Sequence, residues 1–277
     1  MRNIFIGCVA LVLAGCTANQ EVDLESRDFM VQQNAVPAST GVESTEHMAR
    51  LLKLSGPTYV TLVVSDGEKQ TTSSRPSENR AIPVTSGSGF LVDSGGYVMT
   101  AAHVAVRKGN TVSARAANGR IYSGQVVDIL PSNDMALIKL RGFSGKATSP
   151  APSQCVPRGS MVYSLGKPHA EGDTARVGRL ESMHYGRAVS YGKYGYPDAM
   201  VLKMSTHRGE SGGPVFNDSG ELVGMVVSTL TDANGNLINL AHAIPSASLA
   251  QFLCRNISCG GAWASLAQTT TDSCPAI

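Results

Sequence analysis

Twelve short runs rich in Val, Ile, Leu and Thr, bounded by Gly, Pro, Asn or Ser, constrain the fold of this chain more than any other feature. Six precede residue 142: Thr58–Val64, Gly87–Val92, Tyr97–Thr100, Thr111–Ala114, Gly124–Leu130 and Met135–Leu140. Six follow residue 156: Met161–Leu165, Ala175–Ser182, Ala199–Ser205, Gly213–Phe216, Leu222–Ser228 and Leu237–Ala243. Ser94-Gly95-Gly96, Asn118-Gly119 and Asn234-Gly235 supply hairpin punctuation. The pattern predicts an all-β fold of two six-stranded antiparallel barrels, joined through a segment rich in Ser, Pro, Gly and Ala over 142–156. The 42% hydrophobic residues, 29 Gly and 13 Pro suit such a turn-rich β protein.

Three short strings carry chemistry: Thr100-Ala101-Ala102-His103, Asn133-Asp134-Met135-Ala136-Leu137 and Gly209-Glu210-Ser211-Gly212-Gly213-Pro214. A serine hydroxyl is a poor nucleophile at neutral pH and needs an imidazole to take its proton. The imidazole in turn needs a carboxylate to fix its tautomer and stabilise its charged form. His103 and Asp134 fall on the first predicted barrel and Ser211 on the second, so the site is expected in the cleft between them. Gly209-Glu210-Ser211-Gly212-Gly213 also fits a GxSxG nucleophile elbow completed by Asp232 and His242. That elbow requires a helix directly after the serine, whereas Gly212-Gly213-Pro214 leads into Val215-Phe216 and a turn.

The order His…Asp…Ser is that of chymotrypsin, and the flanking strings resemble trypsin-like proteases of the bacterial HtrA (Deg) type. Ser86-Gly87-Ser88-Gly89-Phe90-Leu91-Val92, Asp134-Met135-Ala136-Leu137-Ile138-Lys139, Val162-Tyr163-Ser164-Leu165-Gly166-Lys167-Pro168 and Ala241-His242-Ala243-Ile244-Pro245-Ser246 carry the resemblance. So do Asn118-Gly119-Arg120 and Gly124-Gln125-Val126-Val127, and the likeness covers about residues 57–253. It implies a serine endopeptidase domain with barrels over about 57–145 and 156–244 and a closing helix over 245–253. Ser211 is then the nucleophile, His103 the base and Asp134 its orienting acid, and the N–H groups of Gly209 and Ser211 form the oxyanion hole. Ser205 lies near the base of the primary pocket and Val226, Val227, Ser228 and Thr229 form its wall. With no carboxylate at that base, an uncharged P1 residue is expected. Lys203, His207 and Arg208 read as a solvated rim, and His207 and His242 as structural. Two departures stand out: Glu210 replaces the family's Asn or Asp before the serine, and the chain after Pro245 is too short for a PDZ domain.

Residues 1–15 read as a lipoprotein signal peptide, with Arg2 as the positive end and Ile4–Leu13 as an apolar stretch too short to span a bilayer. Leu13-Ala14-Gly15-Cys16 resembles a bacterial lipobox, which implies a diacylglycerol on Cys16; the alternative is an ordinary secretory signal and a protein that is secreted or at the cell surface. At about 0.8 kcal/mol per buried methylene, two or three chains give a stable membrane anchor. Thr17 in place of Asp favours the outer membrane, facing the periplasm, over inner-membrane retention. Residues 17–43 are polar and aperiodic and read as a flexible tether, followed by a short helix over Glu43–Leu54, so that 16–56 forms a leader to the domain.

Four cysteines remain for an exported domain: Cys155, Cys254, Cys259 and Cys274. An even number implies disulfides, and three connectivities are possible. The favoured pairing is Cys155–Cys254 with Cys259–Cys274, the latter closing a tail over 254–277. Cys-x4-Cys without a histidine pair is a poor match to zinc spacing, and no metal or cofactor is expected. Lys+Arg 23 against Asp+Glu 21 gives +2, so net charge gives no reason to expect a nucleic-acid partner. The expected partners are a protein or peptide substrate and, through the lipid, a membrane. The alternatives are a protease fold kept as a latent or inactive binding protein, and an esterase using the same acyl chemistry.

Overall fold

The computed structural model describes residues 30–33, 41–65, 84–169 and 172–274. The signal peptide and Cys16 lie outside the described residues. A strand, β1 (Met30–Gln33), and a helix, α1 (Gly41–Ser55), precede the barrels. The strand falls inside the segment read as a tether, where a polar, aperiodic sequence gives no strand signal. Met48 and Leu51 of α1 are buried, and Lys146 Nζ donates to the Leu54 carbonyl at 2.9 Å, fastening the helix end to the interbarrel segment.

The first barrel comprises β2 (Tyr59–Ser65), β3 (Val84–Leu91), β4 (Tyr97–Thr100), β5 (Thr111–Ala116), β6 (Ile121–Leu130) and β7 (Met135–Leu140). It closes in the order β2-β3-β4-β7-β6-β5. The two-residue period is plain in β2, where Val60, Leu62 and Val64 point inward and Val63 outward, and in β5, where Val112 and Ala114 alternate with exposed Thr111 and Ser113. Phe90, Leu91, Leu137 and Ile138 are fully buried, each stabilising the fold by about 1.5–3 kcal/mol. Thr100 at the end of β4 pairs with Ala136 near the start of β7. The chain leaves β4 into a short helix, α2 (Ala102–Ala105), and enters β7 through a 3-10 turn over Pro131–Asn133. One end of this strand pair therefore presents His103 and Asp134 together.

The second barrel comprises β8 (Met161–Gly166), β9 (Thr174–Ser182), β12 (Met200–Lys203), β13 (Pro214–Phe216), β14 (Leu222–Thr231) and β15 (Leu237–Pro245). Strands run β9-β12-β15-β14-β13-β8, and the β8–β9 pairing closes the ring. Because β12 reaches only the last residues of β9, β1 lies parallel along Thr174–Val177 and takes up the hydrogen-bonding edge that β12 leaves. Val162, Leu180, Leu202, Val215 and Val226 form a core of this barrel's own.

A separate two-stranded hairpin, β10 (Val189–Tyr191) with β11 (Tyr194–Tyr196), interrupts the β9-to-β12 connection. Two helices end the described chain: α3 (Ser246–Asn256), near the predicted closing helix, and α4 (Gly261–Leu266), which the sequence reading does not contain. Leu249, Phe252 and Leu253 of α3 join the hydrophobic cluster that continues into the first barrel. Asp173, ahead of β9, accepts from Arg115 Nη2 at 3.0 and 3.2 Å and from Thr61 Oγ1 at 3.3 Å, clasping the barrels together.

The cysteine pairing corrects the expectation. Cys155 bonds Cys274 and Cys254 bonds Cys259, rather than Cys155–Cys254 and Cys259–Cys274. The chain turns back directly after α3, bringing Cys259 to a Cα separation of 5.2 Å from Cys254. After α4 the tail returns to the interbarrel segment and places Cys274 at 5.4 Å from Cys155.

Candidate active site

His103 lies on α2, held from below by Ala101 and Ala102, both fully buried. Its Nδ1 meets Asp134 Oδ2 at 2.8 Å and its backbone N–H donates to Oδ1 at 2.9 Å. An ionised carboxylate only accepts, so this contact puts the proton on Nδ1 and leaves the Nε2 lone pair free to act as a base. Asp134 has no solvent exposure and a left-handed backbone, φ +48°, a conformation that Asp tolerates better than most residues. The Tyr191 hydroxyl donates to the same Oδ2.

Ser211 sits between β12 and β13 and is packed against the first barrel through its backbone. Its carbonyl accepts from Ser88 N at 2.9 Å. Gly212, at φ +84°, lies so near that barrel that a Cβ there would meet Ser88 O at 2.2 Å and Thr100 Oγ1 at 2.3 Å. Gly209 is under the same constraint: φ is +100°, and a Cβ would meet Lys167 O at 2.3 Å. Within the loop, Glu210 N donates to His207 O, Gly212 N to Val226 O and Gly213 N to Glu210 O. The N–H groups of Gly209 and Ser211 donate to no group among the described residues. Two unengaged backbone donors flanking a serine are what an oxyanion requires. No hydrogen bond joins the Ser211 hydroxyl to His103 among the described residues, a looseness common in sites without substrate.

Beneath the loop is a buried charge that the sequence does not reveal. Arg176 of β9, fully buried, donates Nε–H to Glu210 Oε1 at 2.7 Å, and His207 N donates to Oε2 at 2.5 Å. Arg176 Nη2 also contacts His207 Nδ1 at 2.8 Å. Burial pushes the Glu210 carboxyl above the usual carboxylate range, with the Arg176 guanidinium pulling it back. Glu210 thus anchors the loop from inside, and its extra methylene over Asp suits the reach to β9. His207 is tied into this network.

Of the residues expected to form the P1 pocket, Ser205 precedes the Ser211 loop and Val226–Thr229 lie on β14. Ser205 is buried, and Thr206 Oγ1 meets Thr229 Oγ1 at 2.7 Å. Val226 and Val227 are buried in β14, and the half-exposed Ser228 pairs its hydroxyl with Tyr196 OH at 2.9 Å. Tyr196 OH also meets His242 Nδ1 at 2.8 Å. Burial pushes His242 down to about 4, so it is neutral at pH 7. It packs in the Tyr185 and Tyr196 rings and does not form the elbow arrangement with Asp232, which caps its own turn by accepting from Asn234 N and Asn236 N. Lys203 and Arg208 are exposed. No group of three or more His, Cys, Asp or Glu suited to a metal ion occurs among the described residues.

A family model described as the trypsin-like peptidase domain matches residues 87–225, just over half of the chain. The chain belongs to this family. A probable periplasmic serine endoprotease DegP-like of Brucella suis is 30% identical over 179 residues, covering 64% of this chain and 33% of that protein. The putative serine protease HhoB of Synechocystis is 32% identical over 163 residues, covering 57% and 37%. The chain thus spans about a third of the length of such curated relatives. Among solved structures, an HtrA-type protease, AlgWS227A with a decapeptide, superposes with a TM-score of 0.63 at 19% identity, covering 74% of this chain and 65% of that one. The inactive form of the Rv3671c protease gives 0.59 at 21%, covering 80% and 99%. At these identities the structural likeness is one of fold: two six-stranded barrels of chymotrypsin type.

Proposed function

We propose that this trypsin-like peptidase is a serine endopeptidase of the HtrA type that cleaves exported or envelope proteins through an acyl-enzyme on Ser211. The observation that carries the reading is His103 held by the buried Asp134 with Nε2 left as a base, together with a serine loop whose Gly209 and Ser211 N–H groups donate to nothing among the described residues. His103 takes the Ser211 proton as the hydroxyl attacks the scissile carbonyl, and the Gly209 and Ser211 amides receive the oxyanion. His103 then protonates the leaving amine, and water, activated by the same imidazole, releases the acid. Ser205 and the Val226–Thr229 segment form the P1 pocket, which bears no acidic side chain and takes an uncharged residue. Cys16 carries the lipid that tethers the domain to the outer membrane, facing the periplasm.

Hydrolysis of an unfolded protein substrate by the domain lacking residues 1–16 tests the activity, with peptide products sequenced to read P1. The expected result is cleavage after uncharged residues that Ser211→Ala reduces by at least about a thousandfold. Cleavage that survives Ser211→Ala overturns the reading, and cleavage after Arg or Lys overturns the pocket assignment.

A further inference from the structure

Among the described residues the Asp134 carboxylate accepts three hydrogen bonds, two from His103 and one from elsewhere. The third donor, the Tyr191 hydroxyl, arrives from the other barrel on the β10–β11 hairpin and shares Oδ2 with His103 Nδ1, which lies 3.5 Å from the phenol oxygen. Its ring also stands edge-on to the His103 ring at a centroid distance of 5.8 Å, and Tyr194 does the same at 6.3 Å. The hairpin grips the chain just past the histidine as well. Tyr194 OH and Lys193 Nζ each donate to the Val106 carbonyl at 3.2 Å, immediately after α2, where Val106 takes a positive φ of 66°.

This hairpin is a sheet of its own, paired with neither barrel. A lone two-stranded hairpin is marginal in water, so its order depends on where it docks. It docks against the His103 ring of α2 and the Val106 carbonyl just after it, and on the Pro131–Asn133 turn that leads into Asp134.

We propose that Tyr191 is a positioning residue for this site: its hydroxyl fixes the Asp134 carboxylate that orients His103, so the base is aligned only while the hairpin is docked. The inference rests on the endopeptidase reading above and adds a component to it. Burial, followed by the nearby Asp134 charge, holds the Tyr191 phenol well above its ordinary value, so it remains a donor throughout the working pH range. The side chains that bond to Asp134 are His103 and Tyr191 alone among the described residues; Tyr196 feels its charge, and Lys193 is turned to the Val106 carbonyl.

Removing the donor leaves a carboxylate with less of its charge satisfied, and that charge falls on His103. The imidazolium is then favoured, the base is lost at a higher pH, and the Nδ1–H bond to Asp134 tightens. The test compares Tyr191→Phe with the wild-type domain. For Tyr191→Phe the expectation is a kcat about tenfold lower with KM within about twofold. The acid limb of kcat/KM moves to higher pH, and the low-field proton NMR signal of the His103 Nδ1–H moves downfield. Tyr194→Phe, which keeps the Tyr191 hydroxyl but loosens its hairpin, gives a smaller loss of kcat in the same direction. Unchanged kcat, acid limb and proton signal in Tyr191→Phe overturn the proposal. A wild-type domain that hydrolyses nothing defeats the endopeptidase reading instead, and the proton signal still decides the role of Tyr191.

Discussion

The residue that departs most from the family pattern, Glu210, has its reason in the buried Arg176 beneath the loop. Arg176 is buried in β9, and a guanidinium cannot shed its proton to escape burial. It therefore needs a carboxylate, and the position before Ser211 supplies one at 2.7 Å. Glu210→Gln keeps the size but removes the carboxylate that faces the buried guanidinium. The expected loss of stability is about 3–5 kcal/mol, the cost of breaking a buried pair from one side, read as a lower denaturant midpoint. Glu210→Gln with Arg176→Met should recover most of that loss, because the apolar side chain takes the buried charge away together with the carboxylate that faced it. A loss that persists in the double variant contradicts the account. Glu210 was visible in the sequence as an anomaly; Arg176 was not, because an arginine in a β-strand carries no mark of being buried.

Among the elements, the twelve strands were legible because each combines β-branched or aliphatic residues with turn residues at its ends, as in Thr111–Ala116 ahead of Asn118-Gly119. The β10–β11 hairpin was not. Its strands have three residues each, and Val189-Ser190-Tyr191-Gly192-Lys193-Tyr194 shows no alternation long enough to register. What the hairpin does is set by tertiary contact with Asp134, to which local sequence is blind. The favoured cysteine pairing failed for the same reason, since three connectivities satisfy the spacing and only the return of the tail after α4 chooses Cys155–Cys274 and Cys254–Cys259 among them. The two disulfides should differ in weight. Cys155–Cys274 closes a loop with a sequence separation of 119 and Cys254–Cys259 one of 5. Chain-entropy arguments give about 5 kcal/mol for the first and about 2 kcal/mol for the second. Replacing Cys155 and Cys274 by Ala should therefore lower the thermal midpoint more than replacing Cys254 and Cys259. The reverse order would mean that the tail is not latched to the interbarrel segment.

At the scale of the whole molecule, the two barrels are held in register by a few bonds that cross between them. The Arg115–Asp173 clasp, the Ser88–Ser211 backbone bond and the docked hairpin all do so. The division of the proposed site between barrels makes these contacts part of its function, since His103 and Ser211 have no covalent neighbourhood in common. The sequence placed His103 and Asp134 on one barrel and Ser211 on the other, but it held nothing about the bridging bonds. At the other end, the proposed lipid on Cys16 sets where the domain works. Expression with an alkyne-tagged fatty acid should label the wild-type chain in the membrane fraction, and Cys16→Ser should abolish the label and release the domain. A Cys16→Ser chain that stays membrane-bound would argue for a different anchor.

The central claim is that Ser211 is an activated nucleophile within a working oxyanion hole. Incubation of the domain lacking residues 1–16 with a fluorophosphonate probe, followed by mapping of the modified peptide by mass spectrometry, tests it most directly. The account predicts one adduct, on Ser211, absent from Ser211→Ala and strongly slowed in His103→Ala. A folded wild-type domain that takes up no probe, or takes it up elsewhere, would contradict it.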